Sequence, residues 1–184
     1  MALTVAGLTF RTSEIDLRDK PAHLLGVSPK GTVPVLCLSE VMVIDESLDI
    51  MYWALAQNDP QKWLDGLSNG QAQRLLEQTD GVFKKALDQY KYASRFPDQD
   101  PVQSRWLALE ALINPLALVL NKQPFIGGDK PVLQDVAIFP FVRQFAGVEP
   151  SWFNANAPAP VRHWLTNWVS SDLFATIMQT KGRH

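Results

Sequence analysis

Two short stretches in the first third of the chain combine residue types that could bind a small charged ligand. In Ile44-Asp45-Glu46-Ser47 an apolar run leads directly into a helical pattern. Backbone N–H groups at a helix start, together with the Ser47 hydroxyl, suit a carboxylate, and Glu46 beside them suits an ammonium group. Glu46 and Ser47 could therefore hold both charged groups of an amino acid's α-carbon. The alternative is an ordinary helix cap with an acidic first turn, which the spacing alone favours.

The second stretch is residues 30–36, Lys-Gly-Thr-Val-Pro-Val-Leu, in which Pro34 stands near the start of an apolar run. Proline is tolerated at the first position of a strand, so a simple strand entry would explain it. Alternatively, Pro34 holds Val33 with its N–H and C=O groups unpaired, ready to pair with an extended, peptide-like ligand. A cis Val33–Pro34 bond would expose these groups, although only about 5% of X–Pro bonds in folded proteins are cis.

Other chemistries lack the residues that they need. His23, His163 and His184 have no ligand-like spacing, and one cysteine completes no zinc set, so we expect no metal. No Gly-x-Gly-x-x-Gly loop, Walker loop or Gly-x-Ser-x-Gly elbow is present. Cys37 lies within the apolar run and is predicted to be a small buried core residue rather than a reactive thiol.

Composition limits the partners. The 184 residues are 46% hydrophobic and 20% charged, as in an ordinary globular protein. Lys and Arg number 17 against 19 Asp and Glu, a net charge of −2 that argues against nucleic acid or an anionic membrane as partner. The most apolar stretch, residues 106–120, contains Glu110, Asn114 and Pro115 and does not resemble a membrane span. A single cysteine fits a reducing compartment such as the cytoplasm.

The spacing of apolar residues changes along the chain. Residues 8–16 are predicted to form a strand, and the apolar runs 33–38 and 41–44 are predicted to form an antiparallel hairpin. A helix is predicted from Glu46 to the Asp59-Pro60 pair.

After a linker over residues 60–70, every segment has helical spacing. The predicted helices are residues 71–92, 102–121, 133–146, 161–170 and 172–179. Pro115, inside the second, should kink or end it. The sequence therefore predicts a small α/β unit over residues 1–59, followed by an all-α unit over residues 71–184.

The motifs together resemble a known family. Lys20-Pro21, residues 31–36 and Asp45-Glu46-Ser47, at these spacings, resemble the thioredoxin-like domain of glutathione S-transferases. Residues 125–128, Phe-Ile-Gly-Gly, leading to Asp135, are similar to part of the family's helical domain. The resemblance covers nearly the whole chain and is closest to the cysteine-type branch, which includes the omega class. It implies a thioredoxin-like domain followed by a helical domain, glutathione as co-substrate, and a homodimer.

The resemblance also implies residue roles. The backbone of Val33 would pair with the cysteinyl part of glutathione, and Pro34 would be the cis proline. Glu46 and Ser47 would bind the γ-glutamyl amine and carboxylate, and Lys20 would approach the glycyl end.

The second substrate, an electrophile, would bind in the family between the domains, against the first helices of the helical unit. Phe83, Lys84, Leu87 and Tyr90 are the candidates by position. An apolar stripe at helical spacing is more often core than ligand wall, so packing is the alternative role.

The chain departs from the family pattern at its start. Members open with a strand and a loop bearing the catalytic Cys, Ser or Tyr, whereas residues 1–7 resemble only the last turns of the helix that follows. The catalytic residue is therefore expected upstream of Met1 and not in this chain. Without the first strand, residues 8–16 lose their neighbour unless they shift to the edge of residues 33–38 or pair with another chain. We expect residues 1–16 either to rearrange or to become disordered.

A second departure concerns the helix that contains Asp135. Val132 stands where the family usually has Ser or Thr, so Asp135 lacks its reciprocal capping partner, at a cost of about 1 kcal/mol. Asp135 is assigned to fold stability rather than catalysis.

Two functions follow as hypotheses. The first is a glutathione transferase-like protein that binds glutathione and transfers it to, or removes it from, a small electrophile or mixed disulfide. Little turnover is expected of the chain as written. The alternative is a non-catalytic interaction protein with the same fold.

Overall fold

The computed structural model describes residues 1–39 and 41–179. The chain divides into two compact units. Among the described residues, the first is Met1–Leu64 together with residues 176–179, and the second is Asp65–Ala175.

The first unit combines short helices with a small sheet. Its elements follow the order α1 (Ala2–Val5), α2 (Ala22–Val27), β1 (Leu36–Cys37), β2 (Val43–Ile44) and α3 (Ser47–Gln57). Helix α1 is a single turn that packs against α3. The Asn58 side-chain amide, just after α3, donates a hydrogen bond of 3.2 Å to the Ala6 carbonyl and joins the ends of the two helices.

The predicted antiparallel hairpin is confirmed, although its strands are shorter than the apolar runs. Leu36 pairs with Ile44, and Cys37 pairs with Val43. At the turn, the Ser39 hydroxyl accepts a hydrogen bond of 3.1 Å from the backbone N–H of Met42. The apolar pattern therefore gives the correct pairing but overestimates the extent of the ladder.

The predicted strand over residues 8–16 is wrong. This segment has no regular secondary structure, and no hydrogen bond between described backbone groups involves residues 9–15. A strand needs a neighbour to satisfy its N–H and C=O groups, and within residues 1–39 and 41–179 β1 and β2 pair only with each other. The expectation that residues 1–16 rearrange or become disordered stays a prediction.

The second unit is helical. A 3-10 helix (Trp63–Ser68) contains the division between the units and lies inside the predicted linker over residues 60–70. The elements that follow are α4 (Gly70–Gln78), a π-helical turn (Thr79–Phe83), α5 (Lys84–Lys91), a 3-10 turn (Ala93–Arg95), α6 (Pro101–Ala108), a second π-helical turn (Leu109–Ile113), α7 (Asn114–Leu120), α8 (Leu133–Val148), α9 (Pro150–Asn156) and α10 (Ala159–Val169). The last helix, α11 (Asp172–Gln179), begins in the second unit, and its residues from Thr176 on are assigned to the first. The predicted helices are present, and the last agrees with its predicted bounds.

Pro115 disturbs its helix without ending it. It lies in the first turn of α7, immediately after the second π-helical turn. Because proline has no N–H to donate to the preceding turn, a locally widened turn accommodates it and the helix continues.

Aromatic side chains fill the core of the second unit. Phe145 of α8 lies 5.9 Å from Phe83, 5.5 Å from Tyr90 and 6.1 Å from Phe153, measured between ring centroids. These tilted and edge-on arrangements are the ones that aromatic pairs prefer. A single residue of α8 therefore connects α5, α9 and the turn before α5.

Asp135 is fully buried and joins three segments of the second unit. Its carboxylate accepts hydrogen bonds from the backbone of Ile126 at 2.9 Å, of Gly127 at 3.4 Å and of Val132 at 3.0 Å, and from the Trp164 indole at 2.9 Å. Burial raises the pKa of the Asp135 carboxyl, and these donors oppose that effect. The assignment to fold stability agrees with this geometry, although the indole contact is not visible in the sequence.

Candidate functional site

A tight turn after α2 begins the candidate site. The N–H of Gly31 donates to the carbonyl of Ser28 at 2.9 Å, and Gly31 has a φ of +58°, which favours glycine. An added Cβ at Gly31 would lie 3.2 Å from both Cδ and Nζ of Lys20. The Lys20 side chain therefore lies close to the backbone at Gly31.

The Val33–Pro34 peptide bond is cis. Val33 is 45% exposed, and among the described residues no backbone hydrogen bond uses its N–H or C=O group. This is the arrangement that pairing with an extended ligand requires.

The start of α3 is open to a ligand. Glu46 precedes the helix in an extended conformation and makes no side-chain capping hydrogen bond. Ser47, the first helical residue, is exposed. Because the first N–H groups of a helix have no partners within it, this end can accept an anion beside the Glu46 carboxylate.

Lys30 faces the acidic pair that precedes α3. Its ammonium Nζ lies 2.7 Å from Oε1 of Glu46 and 3.3 Å from Oδ1 of Asp45. The hydroxyl of Ser28, which is buried, donates to the other oxygen of Asp45 at 3.0 Å. The Ser28 hydroxyl and then Lys30 lower the pKa of the Asp45 carboxyl, and the Glu46 and Asp45 carboxylates raise the pKa of Lys30.

The first unit contains a groove of about 790 Å³. Its lining includes Leu8, Phe10, Val33, Pro34, Cys37 and Trp53. The prediction that Cys37 is a buried core residue is wrong, because its side chain is exposed. Among the residues that the structure describes, strand β1 has a neighbour on one side only, so Cys37 lines the open groove and is not covered by a packed sheet.

The candidate electrophile residues lie in the helical unit. Phe83, Leu87 and Tyr90 are buried in its core, and Lys84 is exposed. Tyr90 donates from its hydroxyl to Glu149 at 2.9 Å, and Arg105 pairs with the same carboxylate. Burial, together with Glu149, raises the pKa of Tyr90 to about 12, against the opposing effect of Arg105.

Only some of the site residues predicted from the sequence line the groove. Val33 and Pro34 line the groove, whereas Lys20, Glu46 and Ser47 do not. The ion pair of Lys30 with Asp45 and Glu46 was not predicted from the sequence. Lys30 is separated from these two residues by 15 and 16 positions of the chain, and such a separation through a loop does not fix the distance between side chains. The only available signal is that Lys30 belongs to the same motif as the proline.

Within residues 1–39 and 41–179, no helix is long and apolar enough to cross a membrane. The same residues contain no group of three or more His, Cys, Asp or Glu side chains that could hold a metal ion.

A family model supports the resemblance. Residues 1–57 match the model described as glutathione S-transferase, N-terminal domain. A comparison with curated protein sequences gives no significant match.

Solved structures resemble the chain over almost its entire length. BphK, a bacterial glutathione S-transferase solved as a ternary complex, is 20% identical with a TM-score of 0.75, and the alignment covers 99% of this chain and 92% of BphK. Glutathione transferase F2 from Populus trichocarpa is 15% identical with a TM-score of 0.75, covering 98% and 90%. Glutathione S-transferase-I bound with lactoylglutathione is 17% identical with a TM-score of 0.73, covering 97% and 90%.

These similarities define a protein with the glutathione transferase fold, in which a thioredoxin-like domain precedes a helical one. Residues 1–57 are similar to the N-terminal domain of glutathione S-transferases, and the chain as a whole has the fold of the solved glutathione transferases.

Proposed function

We propose that this chain binds glutathione in its first unit. The backbone of Val33, set by Pro34, pairs with the cysteinyl part of the tripeptide. Glu46 and Ser47 hold the γ-glutamyl amine and carboxylate, and Lys20 approaches the glycyl carboxylate. The family model over residues 1–57 supports this proposal at the level of the domain.

One observation supports the proposal most directly. The unpaired backbone of Val33 and the uncapped start of α3 occur in one small unit, and each provides groups that a γ-glutamyl peptide can use. An unpaired backbone suits the peptide part, while free N–H groups beside a carboxylate suit an α-carbon with both charges.

Calorimetric titration with reduced glutathione tests this assignment. We expect Glu46→Gln and Ser47→Ala each to weaken binding about fivefold to tenfold, because each removes a hydrogen-bond partner of a charged group. Glu77→Gln and Ser151→Ala are the matched controls, since both residues are exposed in the helical unit. Equal affinity in all four variants would place the ligand elsewhere.

The reaction that we propose is transfer of glutathione to a small electrophile, or its removal from a mixed disulfide. The family relationship supports a transferase class. Assays with a chloronitrobenzene and with a glutathione mixed disulfide separate the two reactions. Activity that survives Cys37→Ser would exclude the Cys37 thiol as the reacting group.

A non-catalytic interaction protein with this fold is the second candidate. The observation that favours it is the open groove, where the backbone of residues 9–15 makes no hydrogen bond with described backbone groups and Phe10 is 42% exposed. Such a surface can receive an extended segment of a partner. Glutathione binding without turnover in either assay would favour this candidate.

We also propose that the protein is a homodimer and that it is located in the cytoplasm. Val102 and Trp106, one turn apart on α6, are each 58% exposed, which gives the helical unit an apolar surface for a second copy. Sedimentation of the chain, and of Trp106→Glu, measures the contribution of that surface.

A further inference from the structure

The acidic group proposed to receive the ligand's amine already has a cation of its own. Lys30 Nζ lies closest to Glu46, at 2.7 Å, and is within 3.3 Å of Asp45. An ammonium group of the ligand would need the same carboxylate oxygens. Lys30 and the γ-glutamyl amine are therefore alternative partners of Glu46.

The local backbone explains why Lys30 reaches the start of α3. The hydrogen bond from Gly31 to Ser28 closes a turn directly around Lys30. The buried Ser28 hydroxyl also orients the Asp45 carboxylate, so both the lysine and one of its partners are positioned by the same short segment.

The ion pair is nevertheless open to exchange. The Lys30 side chain is 53% exposed and that of Glu46 is 61% exposed. Ion pairs in contact with water are weak, because both charges are well solvated when they separate. Asp45, which is held by Ser28, remains as a partner for Lys30 when a ligand takes Glu46.

We propose that Lys30 is the internal counter-ion of this site and competes with the ligand's ammonium group for Glu46. The proposal rests on the proposed function and adds a specificity-determining residue to it. A ligand with a free α-amine must displace Lys30 from Glu46, whereas an N-acylated ligand leaves the pair intact. Lys30 thus reduces the preference of the site for free γ-glutamyl amines.

Calorimetry with two ligands tests this role. The probes are reduced glutathione and its N-acetyl derivative, and the measured quantity is the ratio of their dissociation constants. In Lys30→Met we expect the preference for the free amine to rise about twofold to fivefold at low salt. The gain should shrink as salt is added, because exposed charges are screened.

Two further variants keep the test specific. Lys30→Arg retains the charge and should retain the ratio of the unaltered chain. Lys122→Met removes an exposed lysine of the helical unit and should leave the ratio unchanged.

The outcomes separate this inference from the function on which it rests. An unchanged ratio in Lys30→Met overturns the inference alone. Equal weakening of both ligands in Lys30→Met also overturns it, because Lys30 would then contact an anionic part of the ligand. If the unaltered chain binds no glutathione, the proposed function fails, and the role of Lys30 fails with it.

Discussion

In the helical unit a buried carboxylate, Asp135, accepts four hydrogen bonds, whereas in the first unit the carboxylate of Glu46 is exposed and pairs with the half-exposed side chain of Lys30. The same contrast holds for the backbone. In most of the second unit, helical hydrogen bonds pair the backbone N–H and C=O groups. In the first unit, residues 9–15 make no hydrogen bond with described backbone groups.

This difference separates structural from functional polar groups. A polar group that is buried and fully hydrogen-bonded stabilises the fold but has no unpaired donor or acceptor for a ligand. A group that is exposed and weakly bonded contributes little stability and remains free to exchange partners. Changes in the second unit should therefore alter stability, and changes in the first should alter binding or reactivity.

Asp135→Ala tests the structural side of this contrast and has the largest expected effect. It leaves buried donors of Ile126, Val132 and Trp164 without a partner. Since each such donor costs about 1–3 kcal/mol, we expect the free energy of unfolding to fall by about 3–5 kcal/mol in urea titrations. Asp129→Ala, in the preceding exposed loop, is the control and should change stability by less than about 0.5 kcal/mol. A loss for Asp135→Ala no larger than the control's would contradict the assignment.

Gly66→Ala tests packing in the same unit. A Cβ at Gly66 would lie 2.4 Å from Oε1 of Gln134 and 2.7 Å from Cβ of Val132. Both neighbours are buried, so they cannot move away freely, and we expect a loss of about 1–3 kcal/mol. Gly147→Ala is the matched control, because nothing lies within 4 Å of its added Cβ and the site is helical. Thermal unfolding should show the control to be unchanged or slightly more stable.

The sequence predicts the elements that depend on local pattern. The hairpin and the long helices follow from the spacing of apolar residues, which is a property of each segment by itself. Helices α2 and α9 are missed because six or seven residues are too few to show a helical period. Pro150 at the start of α9 was the available signal, since proline favours the first helical position.

The remaining errors depend on neighbours that no local pattern reveals. Residues 8–16 have strand-forming residues but no strand to pair with, and Cys37 has an apolar context but an open side. For the candidate site, the motif predicts Glu46 and Ser47 as ligand-binding residues. The contact with Lys30 depends on how the turn at Gly31 folds back.

The pH dependence of stability tests whether the Tyr90 hydroxyl is a structural group of the second unit. Burial raises its pKa to about 12, so the folded chain keeps this proton at a pH where the unfolded chain, with a tyrosine pKa of about 10, has lost it. The unfolded state is then favoured, and stability should fall as pH rises from about 10 towards 12. In Tyr90→Phe this part of the decline should disappear, and stability at neutral pH should drop by about 1 kcal/mol through loss of the Glu149 hydrogen bond. An unchanged alkaline decline would show that other groups cause it.

Substitution of Cys37 has the smallest expected effect on stability. The reactivity of its thiol tests directly whether β1 is uncovered on the side of the groove. Because its side chain is exposed, a thiol reagent should label it in the native chain at nearly the rate seen in urea. Cys37→Ser should change the free energy of unfolding by less than about 0.5 kcal/mol, since surface substitutions rarely do more. Both results follow from a strand with a neighbour on one side only. Slow labelling that speeds up only on unfolding would instead mean that Cys37 is covered, and the first unit would then be as closed as the second.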